Sequence, residues 1–219
     1  MTFWDIEQRT EAWYTARLGL PTASQFDRII GERTTKTGVT RSLKPEGSKT
    51  YGAELIAERL FKRPFSKDLS RNEAVQYGVE HEAEARTKLE EHIGIGTQIL
   101  HGGFFTDEAK RVGCSPDGRI LGGNSRELIE IKCPQIPMQI KTHLYGIEDY
   151  WPQLQGQLLI TGFDMIHFYS WRHDCPPYYE RVLPDRAYMA DLMRLLTEFC
   201  VQVDLGEQEC RAKGTWGVT

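Results

Sequence analysis

The sequence contains few cysteines, no long apolar run and no strong excess of either charge. Its five cysteines are odd in number and scattered, without a Cys-x-x-Cys pair, so neither a disulfide framework nor a structural zinc site is expected. No apolar run approaches the length of a membrane span, and the first residues lack the basic and apolar regions of a signal peptide. These absences predict a cytoplasmic protein that has no membrane partner.

A zinc-protease motif begins in the chain but is not completed. The segment 81–85 reads His-Glu-Ala-Glu-Ala, so alanine stands where the second zinc-binding histidine of His-Glu-x-x-His would be. A hydrolase of that class is therefore excluded.

Charge is distributed unevenly along the chain, although the formal net charge is only −4. Residues 28–71 carry eleven lysines and arginines against five acids, whereas residues 73–110 carry eight acids against three bases. A basic segment next to an acidic one suits a protein that holds phosphates at one place and concentrates metal ions at another. A solvated surface with uneven charge is the alternative interpretation.

The length of 219 residues allows one substantial core, and we expect residues 1–219 to form a single domain. Sequence patterns predict helices at 6–18, 22–30, 51–61, 72–92, 136–146, 149–161 and 185–204. They predict a loop at 31–48, and strands at 97–105, 111–114, 127–133, 165–171 and 178–183, the first three adjacent and antiparallel. This order predicts a mixed α/β (α+β) fold in which helices flank a mixed sheet.

Two short segments carry the most informative chemistry. Ser-Pro-Asp-Gly at 115–118 places Asp117 at a turn, and Ile-Glu-Ile-Lys at 129–132 reads as a strand. Side chains alternate along a strand, so Glu130 and Lys132 should share one face while the isoleucines enter the core. Two carboxylates and an ammonium at one strand end can hold a divalent cation and orient a water, as phosphodiester hydrolysis requires. Pro-Asp pairs and Glu-x-Lys triplets each occur twice in the chain, so neither half is specific alone.

Further motifs, in a fixed order, make the pattern specific. Trp13-x3-Arg17-x-Gly19-x2-Thr22-Ala-Ser24 precedes Gly78-x3-Glu82-x3-Arg86, and Gln153-x-Gln155 follows Glu130-x-Lys132-Cys-Pro134. In this order the chain resembles the phage lambda exonuclease-like (YqaJ-type viral recombinase) family, which has the PD-(D/E)xK, restriction-endonuclease-like nuclease core. The resemblance covers residues 12 to 160, and the last sixty residues match no motif.

The resemblance implies an activity, an assembly and partners. Members of this family are 5′→3′ exonucleases that digest one strand of linear double-stranded DNA and leave a 3′ single strand for recombination. The resemblance further implies dependence on Mg²⁺, with Mn²⁺ as a substitute and two ions per site. It also implies a homotrimeric ring threaded by DNA, a single-strand annealing protein as partner, and action in the cytoplasm of the host cell.

The family pattern assigns the catalytic residues. Asp117 and Glu130 are expected to be direct metal ligands, together with the backbone carbonyl of Ile131, because hard oxygen ligands select Mg²⁺ or Mn²⁺ over zinc. Glu82 would act as a ligand directly or through a metal-bound water. Lys132 is expected beside the attacking water, where it would stabilise charge on the scissile phosphate.

A second group of residues is expected to bind DNA. Arg17, Ser24 and Ser115 resemble the pocket of the family for a terminal 5′-phosphate, since arginine offers a charged fork and serine adds donors. Gln153 and Gln155 lie two positions apart on a predicted helix, so they cannot both face the site. Gln155 is the favoured one, and a buried glutamine that satisfies backbone groups is the alternative.

Two other functions share this core. A structure-specific or restriction-type DNA endonuclease would use the same residues and would cut closed circular duplex. A non-catalytic DNA-binding module would be expected to have lost one of the four catalytic side chains, and all four are present.

Overall fold

The structure is a computed structural model that describes residues 1–36, 38–65, 73–94, 98–122 and 125–216, with the side chains of 73–75 excepted. The strands are β1 (Thr2–Trp4), β2 (Ile30–Thr35), β3 (Gly38–Leu43), β4 (Leu100–His101), β5 (Phe104–Thr106), β6 (Gly113–Cys114), β7 (Gly118–Gly122), β8 (Ser125–Lys132), β9 (Met165–Arg172) and β10 (Cys175–Val182). The α-helices are α1 (Glu11–Arg17), α2 (Pro45–Phe61), α3 (Glu73–Ile93), α4 (Ile136–Tyr145), α5 (Trp151–Thr161) and α6 (Arg186–Lys213). Short 3-10 helices cover Ala23–Arg28 and Glu148–Tyr150.

A five-stranded mixed sheet forms the centre of the molecule, in the order β10-β9-β8-β7-β4. Strands β8 and β9 are parallel, and the remaining neighbours are antiparallel. All eight residues of β9 are buried, as expected for a strand covered on both faces. The predicted mixed α/β fold is therefore confirmed.

Strand β8 divides its side chains between the two faces of this sheet. Ile129 and Ile131 pack with Leu89 of α3 on one face, as the alternating pattern predicted. Leu128 points to the opposite face and joins the main hydrophobic core, to which α2, α5 and α6 contribute. Glu130 follows Leu128 on that opposite face, so a carboxylate is drawn into the interior.

Helix α5 packs closely against the first 3-10 helix, and this contact fixes the base of the site. A Cβ atom added to Gly156 would lie 2.5 Å from the ring of Phe26, so only glycine permits this approach. Phe26, Leu154 and Leu158 are fully buried in the same core. Burial of each such side chain contributes about 1.5–3 kcal/mol. The helix that carries the predicted glutamines is thereby held rigidly.

Several sequence predictions differ from the observed elements, and the helix predicted at 6–18 covers only Glu11–Arg17. Residues 31–48 were predicted as a loop, but they contain the hairpin of β2 and β3 and the start of α2 (position 37 is outside the described residues). The hairpin is largely exposed, so it shows no apolar alternation that would have revealed it. The predicted helix at 22–30 is a 3-10 helix, and the last helix continues nine residues beyond 204.

The predicted strand at 97–105 is interrupted and serves two sheets (residue 97 is not described). Its first part is β4, which pairs with β7, and its second part is β5, which lies between β1 and β6 in a three-stranded sheet. The chain changes sheet at Gly102 and Gly103, where a Cβ on Gly102 would lie 1.8 Å from the Pro116 carbonyl oxygen and Gly103 has a φ of 73°. Because β6 pairs with β5 in the three-stranded sheet, the expected pairing of 111–114 with 127–133 is wrong.

No helix among the described residues is long and apolar enough to cross a membrane.

Candidate active site

Asp117 is fixed against strand β8 at the point where β7 begins. Its backbone N–H donates to the carbonyl oxygen of Ile129 at 3.0 Å, and the backbone N–H of Ile131 donates to its Oδ2 at 2.7 Å. These two bonds hold the carboxylate beside the strand that carries Glu130. The two acids that lie thirteen positions apart in the sequence are thus neighbours in the fold, as predicted.

Glu130 is buried, with an exposed fraction of 2%, and three side chains donate to it. Lys132 Nζ and Gln153 Nε2 each donate to Oε1 at 2.6 Å, and Gln157 Nε2 donates to Oε2 at 2.7 Å. A buried carboxylate requires such donors because desolvation without them is costly. The network fixes both oxygens of Glu130 in one orientation.

Lys132 is held from three sides. Its Nζ donates to Glu130 and, at 3.2 Å, to Gln153 Oε1, and it lies 5.6 Å from the centre of the Tyr150 ring. Burial lowers its pKa, but Glu130 and Asp117 outweigh that effect and raise the pKa to about 12. Lys132 is therefore a charged donor at neutral pH, and it shares a strand face with Glu130 as predicted.

Glu82 enters the same cleft from helix α3. The cleft has a volume of about 380 Å³, and Glu82, Asp117, Ile131 and Lys132 line it together. Glu82 Oε2 accepts a hydrogen bond from Arg9 Nη2 at 2.8 Å. Three of the four predicted catalytic residues therefore line one cleft, and the fourth, Glu130, lies buried behind it and accepts from Lys132. Glu82 is held by an ion pair that the sequence did not indicate.

The environment of Asp117 disfavours its charged form. Glu82 and Asp117 line the cleft together with the cations Arg9 and Lys132, and a third carboxylate, Glu130, lies buried behind Lys132. Burial, and then the charges of Glu130 and Glu82, raise the pKa of Asp117 well above its usual range, and Lys132 offsets this only in part. A cation bound next to Asp117 would relieve this repulsion.

The residues present fit a hard divalent cation. Asp117 and Glu130 supply carboxylate oxygens, and Ile131 lies between them on the cleft wall. Within the described ranges no three His, Cys, Asp or Glu side chains form a complete metal cage. Mg²⁺ is usually bound by one or two carboxylates and several waters, so this donor set suits Mg²⁺ or Mn²⁺ better than zinc.

Arg86 and Gly118 fix the turn that carries Asp117. Arg86 Nη2 donates to the backbone carbonyl oxygen of Asp117, so helix α3 positions the turn as well as Glu82. A Cβ on Gly118 would lie 2.4 Å from Ile99 Cγ2 and 3.0 Å from Arg86 Nη1. The glycine of Pro-Asp-Gly is thus required by the close approach of the Ile99 side chain and, at a longer distance, of Arg86.

Trp13 contacts both Arg17 and Ser115, and Ser115 lies two positions before the candidate metal ligand Asp117. The guanidinium carbon of Arg17 lies 3.8 Å from the centre of the Trp13 ring, and Trp13 Nε1 donates to Ser115 Oγ at 2.8 Å. Arg17 Nη2 also donates to Thr22 Oγ1 at 3.1 Å. Among the described residues no carboxylate lies within ion-pair distance of Arg17, whose pKa is lowered by burial. A half-buried arginine in this situation is ready to bind an anion.

Of two further residues predicted to bind DNA, Gln155 lies differently from expectation and Ser24 lies at the surface. Gln155 is fully buried, donates to the Leu183 carbonyl oxygen at 3.0 Å and accepts from the backbone N–H of Asp185 at 2.8 Å. It stabilises the start of α6 and does not reach the site, so the weak preference for it over Gln153 was wrong. Ser24 is exposed on the 3-10 helix that follows Thr22.

Gln157, Trp13 and Arg86, like Arg9, are site residues for which the sequence gave no role. Gln157 lies one helical turn after Gln153, so their shared face could have been predicted from the four-residue spacing. Trp13 and Arg86 belong to the motifs that carried the resemblance, but their partners (Ser115 and the Asp117 carbonyl oxygen) are distant in sequence. Only the tertiary structure shows these contacts.

The geometry agrees with what comparison with known proteins shows. A family model described as the YqaJ-like viral recombinase domain matches residues 12–164. The chain belongs to this family. Comparison with curated proteins gives no significant match.

Solved exonuclease structures share the fold along almost the whole chain. One is the alkaline exonuclease LHK-Exo from Laribacter hongkongensis, with 28% identity, a TM-score of 0.77, and coverage of 93% of this chain and 97% of that chain. LHK-Exo in complex with dAMP is similar to the same extent, with 29% identity and a TM-score of 0.76. A phage-related exonuclease from Haemophilus somnus has 16% identity and a TM-score of 0.64 over 87% of this chain and 96% of its own, which shows a common fold.

Proposed function

We propose that this protein is a phage-type DNA exonuclease that digests one strand of linear duplex DNA from its 5′ end. The observation that carries the proposal is the cleft lined by Glu82, Asp117 and Lys132, with Glu130 bonded to Lys132 behind it. Arg17 and Ser115, which both contact Trp13, are the residues proposed to form a pocket for the 5′-phosphate. Membership of the viral recombinase family and similarity to an alkaline exonuclease support a nuclease. The 3′ single strand left by this activity is a substrate for recombination by strand annealing.

Asp117 and Glu130 would hold the divalent cation, Mg²⁺ or Mn²⁺, with the Ile131 carbonyl as a further oxygen. When bound there, the cation supplies Lewis-acid stabilisation of the phosphate and a more acidic water. Lys132 contributes a positive charge and hydrogen-bond donors, because its raised pKa keeps it protonated. It would stabilise the negative charge that develops on the scissile phosphate, which typically contributes about 10²–10³-fold to the rate.

The Arg17 pocket would give the reaction its direction. Each hydrolysis step leaves a new 5′-phosphate, and a pocket for this dianion next to the cleft can hold the end in register. Ser115 is two residues from Asp117 and connects to Arg17 through Trp13, so the pocket and the cleft are mechanically linked. Ser24 would contribute a further donor from its exposed position.

Assembly and partners are proposed on the family resemblance. A homotrimeric ring around DNA would explain processive digestion, because DNA could not leave sideways. A single-strand annealing protein would receive the product strand. Sedimentation at micromolar protein concentration tests the ring, which requires three subunits.

The test of the proposed function compares DNA ends and topologies in Mg²⁺. Linear duplex with a 5′-phosphate should be digested faster than the 5′-hydroxyl duplex, and closed circular duplex should remain intact. Nicking or cutting of the circle would instead support an endonuclease. Inactivity on every duplex would leave a DNA-binding module.

The Arg17→Ala variant should lose most of the 5′-phosphate preference, with a rate reduction of about 10–100-fold, as for loss of a charged hydrogen bond. Arg28→Ala is the matched control, because Arg28 is already paired with Glu54 in a two-pronged ion pair at 2.7 and 2.8 Å. An undiminished preference in the Arg17 variant would refute the pocket assignment.

A further inference from the structure

Helix α5 carries three glutamines that look alike in the sequence but have different partners in the fold. Gln153 donates to Glu130 and accepts from Lys132, so it belongs to the cleft. Gln155 faces away and holds the connection to α6. Gln157 is 1% exposed and donates to Glu130 Oε2 at 2.7 Å. Gln155 and Gln157 are therefore equally buried residues of one type on one helix, with one directed to the site and one away from it.

The orientation of the Gln157 amide is determined by Glu130. Its nitrogen donates to the carboxylate, while its own Oε1 is buried and has no hydrogen-bond partner among the described residues. The flipped amide would place an oxygen against a carboxylate oxygen, which is repulsive. A buried polar atom without a partner is unfavourable, so the bond to Glu130 must outweigh that loss.

The two oxygens of Glu130 are held by different groups. Oε1 accepts from Lys132 and Gln153, and Oε2 accepts from Gln157. Lys132 has to turn towards substrate in the proposed reaction, so its bond to Oε1 cannot be permanent. Gln157 is almost fully buried and makes no hydrogen bond with Lys132, so its bond to Glu130 can persist throughout the reaction.

We propose that Gln157 is a positioning residue, which holds Glu130 in the orientation required for binding a divalent cation. The inference rests on the proposed function, since it concerns the same metal-ligand candidate. Groups that orient metal ligands typically contribute about 10–100-fold to metal affinity. Gln157 acts through Glu130 and has no contact of its own with substrate or cation.

The experiment measures binding of Mn²⁺ alone by isothermal titration calorimetry, without DNA. Gln157→Met keeps the volume but removes the donor, and it should weaken Mn²⁺ binding about 10–100-fold. Gln155→Met is the matched control, which should lower thermal stability but leave Mn²⁺ affinity within about twofold of the unmodified protein. If both variants lose affinity in proportion to their loss of stability, the role is merely structural and the inference is overturned.

A second measurement isolates the path through Glu130. In a Glu130→Gln background the ligand is already impaired, so adding Gln157→Met should cause no further loss of Mn²⁺ affinity. An additional loss of the same size as in the unmodified background would overturn the inference. Gln157→Asn, whose shorter amide cannot reach Glu130, gives the same comparison if the methionine variant does not fold.

The outcomes separate this inference from the proposed function. Unchanged Mn²⁺ affinity in the Gln157 variants would overturn the positioning role and leave the exonuclease proposal standing. Failure of the unmodified protein to bind Mn²⁺ at all would overturn both.

Discussion

Strand β8 carries two largely enclosed glutamates only three positions apart, and they have different surroundings. Glu127 accepts from Ser125 Oγ at 2.6 Å and lies 2.7 Å from His167 Nε2, whose other ring nitrogen lies 2.8 Å from the Tyr179 hydroxyl. Glu130 accepts from Lys132 and two glutamines. Both carboxylates are well supplied with donors, so neither burial nor hydrogen bonding alone distinguishes a site from a structural network.

The difference lies in the neighbouring charge. Burial raises the pKa of Glu127, but the bonds from His167 and Ser125 outweigh this and lower the pKa below its usual value. Near Glu130 the second acid Asp117 has a pKa raised by burial and by Glu130 itself. The surroundings of Glu127 favour its charged form, whereas those near Glu130 disfavour the charged form of Asp117, which lines an open cleft. Only the end near Glu130 is suited to a metal ion.

The largest effect is expected on enzymatic activity, and it should distinguish the Asp117 and Glu130 end of the strand from the Glu127 end. Asp117→Ala removes a hard ligand, so digestion of linear duplex in Mg²⁺ should fall by roughly 10³-fold, the equivalent of about 4 kcal/mol, while DNA binding persists. Glu127→Gln should leave the rate within about threefold. A comparable loss of rate in both variants would show that the two ends are not functionally distinct.

The next effect concerns Lys132. Lys132→Ala should reduce turnover by about 10²–10³-fold because the developing charge on the phosphate loses its donor. Mn²⁺ affinity measured by calorimetry should persist, since Lys132 competes with a cation for Glu130. Near-normal cleavage in Mg²⁺ would contradict the role assigned to this residue.

A smaller effect is expected on the stability that Glu127 contributes to the folded protein. Glu127→Ala leaves His167 and Ser125 without their acceptor, so the free energy of unfolding should decrease by about 1–3 kcal/mol. Urea unfolding at pH 7 measures it. An unchanged urea concentration at the unfolding midpoint would mean that water replaces the carboxylate as hydrogen-bond acceptor.

The same network predicts a pH dependence. The folded-state pKa of Glu127 is lowered, so its contribution to stability is present above the unfolded-state value of about 4.3 and is lost as the pH falls through the folded value. The stability difference between the unmodified protein and Glu127→Gln should therefore narrow below about pH 4. A constant difference from pH 7 to pH 3 would be inconsistent with this account.

The smallest effect has the opposite sign. The folded-state pKa of Asp117 is raised, so its charged form destabilises the metal-free protein at neutral pH. Asp117→Asn keeps an acceptor for the Ile131 N–H and removes the repulsion. In EDTA the variant should be more stable by about 1 kcal/mol at pH 7, and this gain should disappear towards pH 4. A variant that is less stable at every pH would contradict the unfavourable environment assigned to the Asp117 carboxylate.

The sequence was sufficient where local patterns decide the structure. Alternation along 129–132 placed Glu130 and Lys132 on one face, and helical spacing placed Gly78, Glu82 and Arg86 along α3. It was insufficient where a contact depends on tertiary packing. The exposed hairpin of β2 and β3 has no apolar alternation. Gln155 and Gln157 are distinguished only by which neighbour each helix face meets.

The Trp13 side chain has a spectroscopic consequence. Its indole lies against Arg17 on one side and is hydrogen-bonded to Ser115 on the other, so both the polarity around the ring and its N–H bond should change when an anion enters. In a variant with the other four tryptophans replaced by phenylalanine, the emission wavelength and lifetime of Trp13 would follow occupancy of the pocket in real time. Stopped-flow fluorescence could then resolve the arrival of a DNA end from the chemical step that follows it.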